Sequence, residues 1–460
     1  MAAVVFFTFV ALGALAGFAL AVAWVRRSPL IGVVLVGLMV IPLWEAPSGI
    51  PLKILTLSGT TLYISDAIPI LLFTVGILEV RQLRANLRGW IFPWVLFGVL
   101  IAFALLRGVL AFELTSTVNS ARPLLYFFWS MTWVLAVRPD RLRLRTVSLV
   151  LGWMLVLVAL YHGVTYGFGG SSSVAPTDGG VIQTGRILIA PQAMALLLCA
   201  ATVFLGPLGS EKVHRWFYAF SSLVFGGVVV IAQHRSVWAA AALGLVAVLI
   251  GSGRRQGRKP VLGLTVLGAW ALLLAWTSGT LAGTQILESA SNRNTLDWRT
   301  TNWQLLISQA IASGPSTVVS GDPFGSKAGL RQMATTRVWT EVQAHNWYVT
   351  IFLYLGIVGL ITYVTLLASA LVKSLETPLV WTFVLAAIAV YGWAYSVDWY
   401  LVPWLGAAMA VSLGAGPTAE DTNRPAESLD WKSTGELRPK RVQSRPRSAL
   451  ATSSPSPTAH

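Results

Sequence analysis

Residues 346–372 read NWYVTIFLYLGIVGLITYVTLLASALV and contain no charged side chain. About 20 apolar residues in one α-helix cross the hydrocarbon core of a bilayer, because a helix satisfies its own backbone hydrogen bonds there. This segment therefore predicts a transmembrane helix, and similar runs recur along the whole chain.

We predict thirteen such spans, separated by short polar or basic connections. Their approximate bounds are 3–24, 30–44, 64–80, 90–106, 123–137, 147–166, 186–206, 216–232, 236–251, 261–277, 346–372, 379–395 and 400–414. Because Arg26 and Arg27 follow the first run and no basic residue precedes it, we expect a retained span rather than a cleaved signal peptide. The expected fold class is an all-α integral membrane protein with about 12–13 transmembrane helices.

The composition agrees with a protein of the lipid bilayer. Of 460 residues, 55% are hydrophobic and 11% charged, whereas about a quarter of the residues of a soluble domain are charged. This balance excludes a soluble enzyme and a disordered scaffold, and one cysteine, Cys199, excludes a disulfide-stabilised secreted protein.

Basic residues indicate the orientation, because Lys and Arg accumulate in cytoplasmic loops. The predicted topology places 23 of the 33 basic residues on the cytoplasmic side and 10 on the outer side. The net charge of +15 therefore reflects membrane orientation, and we expect no nucleic-acid partner.

This topology divides the chain into four parts. They are a bundle of about ten spans over 1–277, one large extracytoplasmic loop over 278–345, a bundle of three spans over 346–414, and a disordered basic cytoplasmic tail over 415–460. Loops as long as 278–345 usually carry function. Within this loop, Trp303, Leu306 and Ala310 recur at helical spacing and predict an amphipathic helix over 297–312 that ends at Gly314 and Pro315.

Polar residues at the outer ends of spans are the candidate site. Arg122, Arg186 and Arg235 begin the fifth, seventh and ninth spans, and His234 adjoins Arg235. Helix N-termini with arginines suit a phosphate group, because the helix dipole and the guanidinium fork both favour an anion. Each arginine could instead extend to lipid headgroups, and His234 could simply line the headgroup region.

His345 precedes the eleventh span within Ala344-His345-Asn346-Trp347-Tyr348. At a helix N-terminus the dipole disfavours imidazolium, so the ring should stay neutral and able to accept a proton. The alternative is an interfacial histidine within a belt of Trp and Tyr. The sequence contains no phosphate-binding loop of the Gly-x-x-x-x-Gly-Lys type, no zinc motif and no carboxylate cluster, so we expect neither metal nor cofactor. The segment Gly321-Asp322-Pro323-Phe324-Gly325 is foremost a turn.

These motifs resemble the O-antigen ligase and polymerase family of polytopic membrane glycosyltransferases. The resemblance rests on Asp297-Trp298-Arg299, the Gly-Pro and Gly-Asp-Pro-Phe-Gly turns, Ala344–Tyr348, Leu355-Gly356-Ile357-Val358-Gly359-Leu360 and Gln233-His234-Arg235-Ser236, and it covers about the second half of the chain. The chain departs from the family's pattern in the residues Ser316–Ser320, which interrupt the glycine-rich turn, and in thirteen spans instead of the usual twelve.

The resemblance implies a GT-C-like, metal-independent transfer of a glycan from an undecaprenyl-pyrophosphate carrier to an acceptor hydroxyl at the outer membrane face. His345 would be the catalytic base, and the substrate-binding candidates are Arg186, Arg235, Arg299, Arg122 and His234. The implied partners are the lipid-linked glycan donor, a glycan or glycolipid acceptor and the lipid bilayer.

Two alternatives stay open. A polysaccharide polymerase of the same family would extend the lipid-linked chain itself, and it differs from a ligase only in the acceptor. A transporter of an anion or a lipid-linked glycan belongs to another class, but the arginines lie at the outer ends of spans instead of mid-span, and no related halves are evident.

Overall fold

The computed structural model describes residues 2–41, 53–57, 60–166, 174–177, 180–183, 187–205, 212–252, 268, 294–326, 328, 330–332, 339–341 and 344–414. Contacts divide the chain into Met1–Gly416 and Pro417–His460. The tail expected over 415–460 lies outside the described residues, as do Arg186 and, apart from Gly268, the predicted span 261–277.

The described residues are predominantly α-helical. The helices are α1 (Ala2–Arg27), α2 (Pro29–Val40), α3 (Ile64–Leu78), α4 (Val80–Leu87), α5 (Ile91–Ala111), α6 (Leu114–Ala136), α7 (Leu144–Tyr166), α8 (Ala190–Leu205), α9 (Lys212–Ile231), α10 (Arg235–Ser252), α11 (Asn294–Ala312), α12 (Pro315–Ser320), α13 (Trp347–Ser374), α14 (Leu379–Ala394) and α15 (Val402–Leu413). Short 3₁₀ helices cover Arg88–Trp90, Pro139–Leu142 and Trp399–Leu401.

Within the described ranges, three antiparallel two-stranded hairpins lie between helices. Their strands are β1 (Lys53–Leu57) with β2 (Thr60–Tyr63), β3 (Val174–Thr177) with β4 (Gly180–Gln183), and β5 (Leu330–Gln332) with β6 (Trp339–Glu341). None of them forms part of a larger sheet among the described residues.

The helices confirm an all-α integral membrane protein. Four helical stretches in the described part of the chain are long and apolar enough to cross a membrane: Val80–Ala111, Pro139–Thr165, Arg235–Ser252 and Trp347–Ser374. The pair Leu12–Arg27 and Pro29–Val40, bent by 108°, would make a fifth, and five further apolar helices are shorter. The number of 12–13 crossings therefore stays a prediction.

Close helix packing depends on small residues, as is usual between membrane helices. A Cβ on Gly76 of α3 would lie 3.0 Å from the backbone of Trp133 in α6, and one on Gly244 of α10 would lie 2.8 Å from the ring of Phe383 in α14. Large apolar side chains also face outward, including Leu110 at 78% and Trp216 at 80% exposed. Apolar residues on both the inner and the outer surface fit a bundle surrounded by lipid.

Helix α13 bends at Gly356, whose φ of 67° is not helical. A Cβ at Gly356 would lie 2.2 Å from the carbonyl oxygen of Val319, and a Cβ at Gly321 would lie 2.2 Å from the backbone of Tyr354. Glycine is required at both positions because the left-handed backbone and the close approach exclude a side chain. The end of α12 and the turn that follows it therefore pack against the bend of α13.

The predicted amphipathic helix is confirmed as α11, which begins three residues earlier than expected. Trp303, Leu306 and Ala310 are buried against Val349 and Phe352 of α13. Its predicted end at Gly314 and Pro315 is also the start of α12, with proline in the first turn, where its missing N–H costs nothing.

Candidate functional site

His345 lies immediately before α13, in a conformation that few residues adopt. Its φ is +46°, a left-handed value that is uncommon outside glycine and concentrated at functional sites. Asn346 caps the helix, since its side chain accepts a hydrogen bond of 3.1 Å from the backbone N–H of Val349. On the other side, the indole N–H of Trp303 donates to the carbonyl oxygen of Ala344. Both neighbours of His345 are thus fixed, and its half-buried ring projects from a rigid backbone.

Arg299 of α11 approaches this histidine. Its guanidinium donates a hydrogen bond of 2.9 Å from Nη1 to the carbonyl oxygen of Ala394 and lies 4.5 Å from the ring centroid of Tyr395. The ring of His345 lies 6.3 Å from that of Trp298 and 6.4 Å from that of Tyr395. The start of α11, the start of α13 and the end of α14 therefore meet at one place, which we call the histidine–arginine site: Trp298, Arg299, His345 and Tyr395.

The charge of Arg299 is only partly satisfied. Its Nε is buried and has no hydrogen-bond partner among the described residues. No salt bridge to Arg299 forms within that part of the chain either. A buried N–H without a partner costs free energy, and an anionic ligand would supply the missing acceptor.

The surroundings keep His345 neutral. Burial lowers the pKa of its imidazole, and the positive charge of Arg299 lowers it further. From the sequence we expected the dipole of the following helix to keep the imidazole neutral. In the structure, burial and the charge of Arg299 lower its pKa. A neutral imidazole near neutral pH can accept a proton.

Arg235 is the first residue of α10, as the sequence predicted. Helix α10 packs along α14, and Gly244 contacts Phe383 while Gly251 contacts Leu379. The two helices run antiparallel, so Arg235 lies at the same end of the pair as Ala394, the partner of Arg299. Gln233 just before it has a φ of +56°, so a left-handed residue precedes this helix as well as α13.

His234 is buried, with Nε2 2.7 Å from the carbonyl oxygen of Leu188. That contact occupies one ring nitrogen within the protein and connects α10 to the chain just before α8. Arg186, which precedes Leu188 by two residues, lies outside the described residues. Its convergence with Arg235 therefore stays a prediction.

Arg122 does not lie at the start of a helix, where the sequence analysis placed it. Helix α6 begins at Leu114, so Arg122 lies two turns inside it and not at its N-terminus. The apolar run begins near residue 123, but the polar residues before it are helical too. The Arg122 guanidinium is paired with Asp66, with Nη2 3.1 Å from Oδ2, and lies 5.3 Å from the ring centroid of Tyr63.

Asp398 is a carboxylate near the histidine–arginine site that the sequence did not lead us to expect there. It follows the end of α14, and its carboxylate accepts a hydrogen bond from the hydroxyl of Tyr400. Burial raises the pKa of Asp398 to about 6. It lies near Tyr391, whose ring stacks on Tyr395 at 5.3 Å. The available signal was a single carboxylate in the short connection between two apolar runs.

The turn Gly321–Gly325 packs between α5, α6 and the bend of α13. The N–H of Asp322 donates to the carbonyl oxygen of Leu353 at 2.7 Å, and Arg107 donates from Nη1 to the carbonyl oxygen of Gly321 at 3.0 Å. Partial burial raises the pKa of Asp322, while Arg107 acts in the opposite direction. The turn expected from the sequence is therefore a docked element of the bundle.

Metal-ligating side chains do not cluster in the described part of the chain: no three His, Cys, Asp or Glu residues come together there. The histidine–arginine site offers one imidazole, one guanidinium and aromatic rings, which suit an anion and a proton transfer.

Residues 220–364 match the model of the O-antigen ligase family. The matched segment includes Arg235, Arg299 and His345, and it confirms the resemblance to an O-antigen ligase-like family. The match covers about a third of the chain and supports a ligase-like or polymerase-like function in glycan assembly, in a membrane setting. Comparison with curated proteins and with solved structures gave no match.

Proposed function

We propose that this protein is a membrane glycosyltransferase that moves a glycan from an undecaprenyl-pyrophosphate carrier to an acceptor hydroxyl, without a metal ion. The observation that carries the proposal is the proximity of His345, whose pKa is lowered, to Arg299. The buried Nε of Arg299 has no acceptor among the described residues. A proton acceptor beside an unsatisfied anion-binding group is what this transfer requires.

In the proposed reaction, the donor pyrophosphate binds Arg299 and Arg235. The Arg299 fork offers paired donors, and the N-terminus of α10 adds the positive end of its dipole at Arg235. Arg186 remains a further candidate for the same group.

His345 then takes the proton from the acceptor hydroxyl as its oxygen forms a bond to the anomeric carbon of the donor. The bond between that carbon and the pyrophosphate oxygen breaks, and the arginines stabilise the negative charge on the leaving group. Imidazolium and free polyprenyl pyrophosphate result, and the histidine returns its proton to water. Atoms and charges balance without a nucleotide or a metal.

Purified protein in detergent or vesicles, incubated with a polyprenyl-pyrophosphate glycan, candidate acceptors and a chelator, tests this proposal. We expect glycan transfer in the presence of the chelator. Turnover only after addition of a divalent metal would contradict the metal-free mechanism, and passage of the glycan across vesicles without transfer would indicate a transporter.

The acceptor distinguishes a ligase from a polymerase. A ligase joins the glycan to a separate envelope glycolipid, whereas a polymerase joins it to the end of another lipid-linked chain. We favour the ligase-like activity, because the matching family model carries that description. Products that grow by whole repeats in an assay that contains the donor alone would identify the polymerase.

The proposed site lies on the outer face of the membrane, according to the basic loops of the sequence. Labelling of introduced cysteines from outside intact cells tests this orientation, and the natural Cys199 gives little background because it is buried. We expect Ser316→Cys to react and Ser433→Cys to stay unlabelled. The opposite pattern would place the site in the cytoplasm.

A further inference from the structure

A row of aromatic and acidic side chains extends from the histidine–arginine site towards α3 and α6. We call Asp66, Tyr126, Trp399 and Asp398 the aromatic–acid strip. The hydroxyl of Tyr126 donates to Asp66, and its ring lies 6.3 Å edge-on from that of Trp399. Trp399 lies 6.4 Å from Tyr400, the partner of Asp398. Asp398 lies near Tyr391, whose ring stacks on Tyr395, and the ring of Tyr395 lies 6.4 Å from that of His345.

One end of the strip is fixed and the other is available. Asp66 is buried and already accepts from Tyr126, from Arg122 and, at 2.9 Å, from the backbone N–H of Tyr63. These contacts hold Tyr126 in place. Trp399 and Asp398, by contrast, are half-buried, and the hydrogen bond from Tyr400 to the Asp398 carboxylate leaves acceptor capacity on its oxygens.

The chemistry of the available end suits a sugar. An aromatic face packs against the C–H face of a pyranose ring, while a carboxylate accepts hydrogen bonds from its hydroxyls. A few polar groups among aromatic side chains are typical of ligand sites in general. Carboxylates repel a pyrophosphate, so this end does not suit the charged part of the donor.

We propose that Trp399 is the platform on which the acceptor sugar stacks, with Asp398 as a hydrogen-bond acceptor for its hydroxyls. The inference rests on the proposed function. The strip reaches the histidine–arginine site through Tyr391 and Tyr395, and the ring of Tyr395 lies 6.4 Å from that of His345, the proposed base for the acceptor hydroxyl. Because the carboxylate of Asp398 repels a pyrophosphate, we assign the sugar at this end to the acceptor. Trp399 then determines acceptor affinity and not donor affinity.

Steady-state kinetics of Trp399→Leu and Trp399→Phe test the assignment. The acceptor probes are the oligosaccharide released from the donor by mild acid and a glycolipid extract of the host envelope. We expect Trp399→Leu to raise the acceptor KM about tenfold and Trp399→Phe to raise it less, because phenylalanine retains an aromatic face. The donor KM and the rate at saturating acceptor should stay within about twofold of wild type.

Trp216→Leu is the matched control, since Trp216 of α9 is 80% exposed, and it should leave both KM values unchanged. A folded Trp399→Leu protein with a wild-type acceptor KM would overturn the assignment, as would an equal rise in the donor KM. Should Trp399→Leu not fold, Trp399→Phe decides alone: a wild-type acceptor KM there counts against the platform.

Failure of the proposed function itself gives a different result. If the wild-type protein transfers nothing, binding of the released oligosaccharide can still be followed by saturation-transfer NMR. Saturable binding that Trp399→Phe weakens would support a sugar site at the strip, and absence of binding to the wild-type protein would overturn it.

Discussion

Arg122, Arg145 and Arg299 lie over tyrosine rings in the described part of the chain. The different partners of Arg122 and Arg299 distinguish two regions of the bundle. Arg122 lies 5.3 Å from the ring centroid of Tyr63 and pairs with the buried carboxylate of Asp66. Arg299 lies 4.5 Å from that of Tyr395 and donates to a backbone carbonyl, and it forms no salt bridge within the described residues. The charge of Arg122 is neutralised by a partner within the fold, whereas Arg299, whose buried Nε has no acceptor among the described residues, can still bind an anion.

The largest expected effect comes from the residue beside the unpaired arginine. His345→Gln should slow transfer roughly a hundredfold to ten-thousandfold if His345 is the general base, while donor binding stays nearly unchanged. Single-turnover kinetics together with donor binding measure the two effects separately. Wild-type turnover in His345→Gln would make His345 an interfacial residue.

The comparison of the two arginines predicts the next largest effect. Arg299→Lys keeps the charge but loses the planar fork, so we expect the donor to bind about tenfold or more weakly and the rate to fall. Arg122→Lys should change donor affinity less, because Asp66 already neutralises this side chain. Arg26→Lys, in an exposed pair with Glu79, is the control. Equal losses of donor affinity in Arg299→Lys and Arg122→Lys would contradict the distinction.

The bend in α13 should be required for stability and for transfer, because it positions α12 against α13. Gly356→Ala places a Cβ 2.2 Å from the carbonyl oxygen of Val319 at a φ of 67°, and backbone strain of this kind costs about 1–3 kcal/mol. We expect a lower melting temperature and loss of transfer. Gly226→Ala in α9, where a Cβ would meet nothing within 4 Å, should retain both. A Gly356→Ala protein as stable as wild type would mean that α12 can shift without penalty.

The pH dependence tests the role of Arg299 beside His345. The pKa of His345 is lowered by burial and by Arg299, so the base stays neutral until the pH falls below the usual range of histidine. Transfer should decline as the pH falls through this lowered pKa, and the decline should disappear in His345→Gln. In Arg299→Gln the midpoint should move to higher pH, because a neighbouring positive charge is gone. An unchanged midpoint would mean that burial alone keeps the histidine neutral.

The smallest expected effect concerns Asp398. Its pKa in the folded protein, about 6, exceeds the ordinary 3.8, so its contribution to stability is present below the ordinary pKa and lost as the pH rises through about 6. The melting temperature of the wild-type protein should therefore fall between about pH 4 and pH 7, and this component should be absent in Asp398→Asn. Identical pH profiles of the two proteins would mean that the carboxylate is well solvated.

The apolar runs determined the fold class because each run has to satisfy its backbone internally in lipid. Helices α7, α10 and α13 begin and end within a few residues of the predicted spans. The predicted bounds were wrong where polar residues are helical: α6 begins nine residues before its apolar run. The Gly-Pro pair predicted the end of a helix, but a second helix, α12, starts there. The length of an apolar run predicts the part of a helix that lies in the membrane, but the helix itself can be longer than that run.

The sequence also nominated His345, Arg235 and Arg299, since each carries a distinctive side chain in a motif or at the start of a span. Only tertiary structure decided which of these meet, because contact between α11, α13 and α14 joins residues 299, 345 and 394. It likewise paired Arg122 with Asp66 and brought Asp398 near Tyr391. Residue type fixes what a side chain can do, whereas burial and neighbouring charges, which depend on packing between distant segments, fix its pKa and its partners.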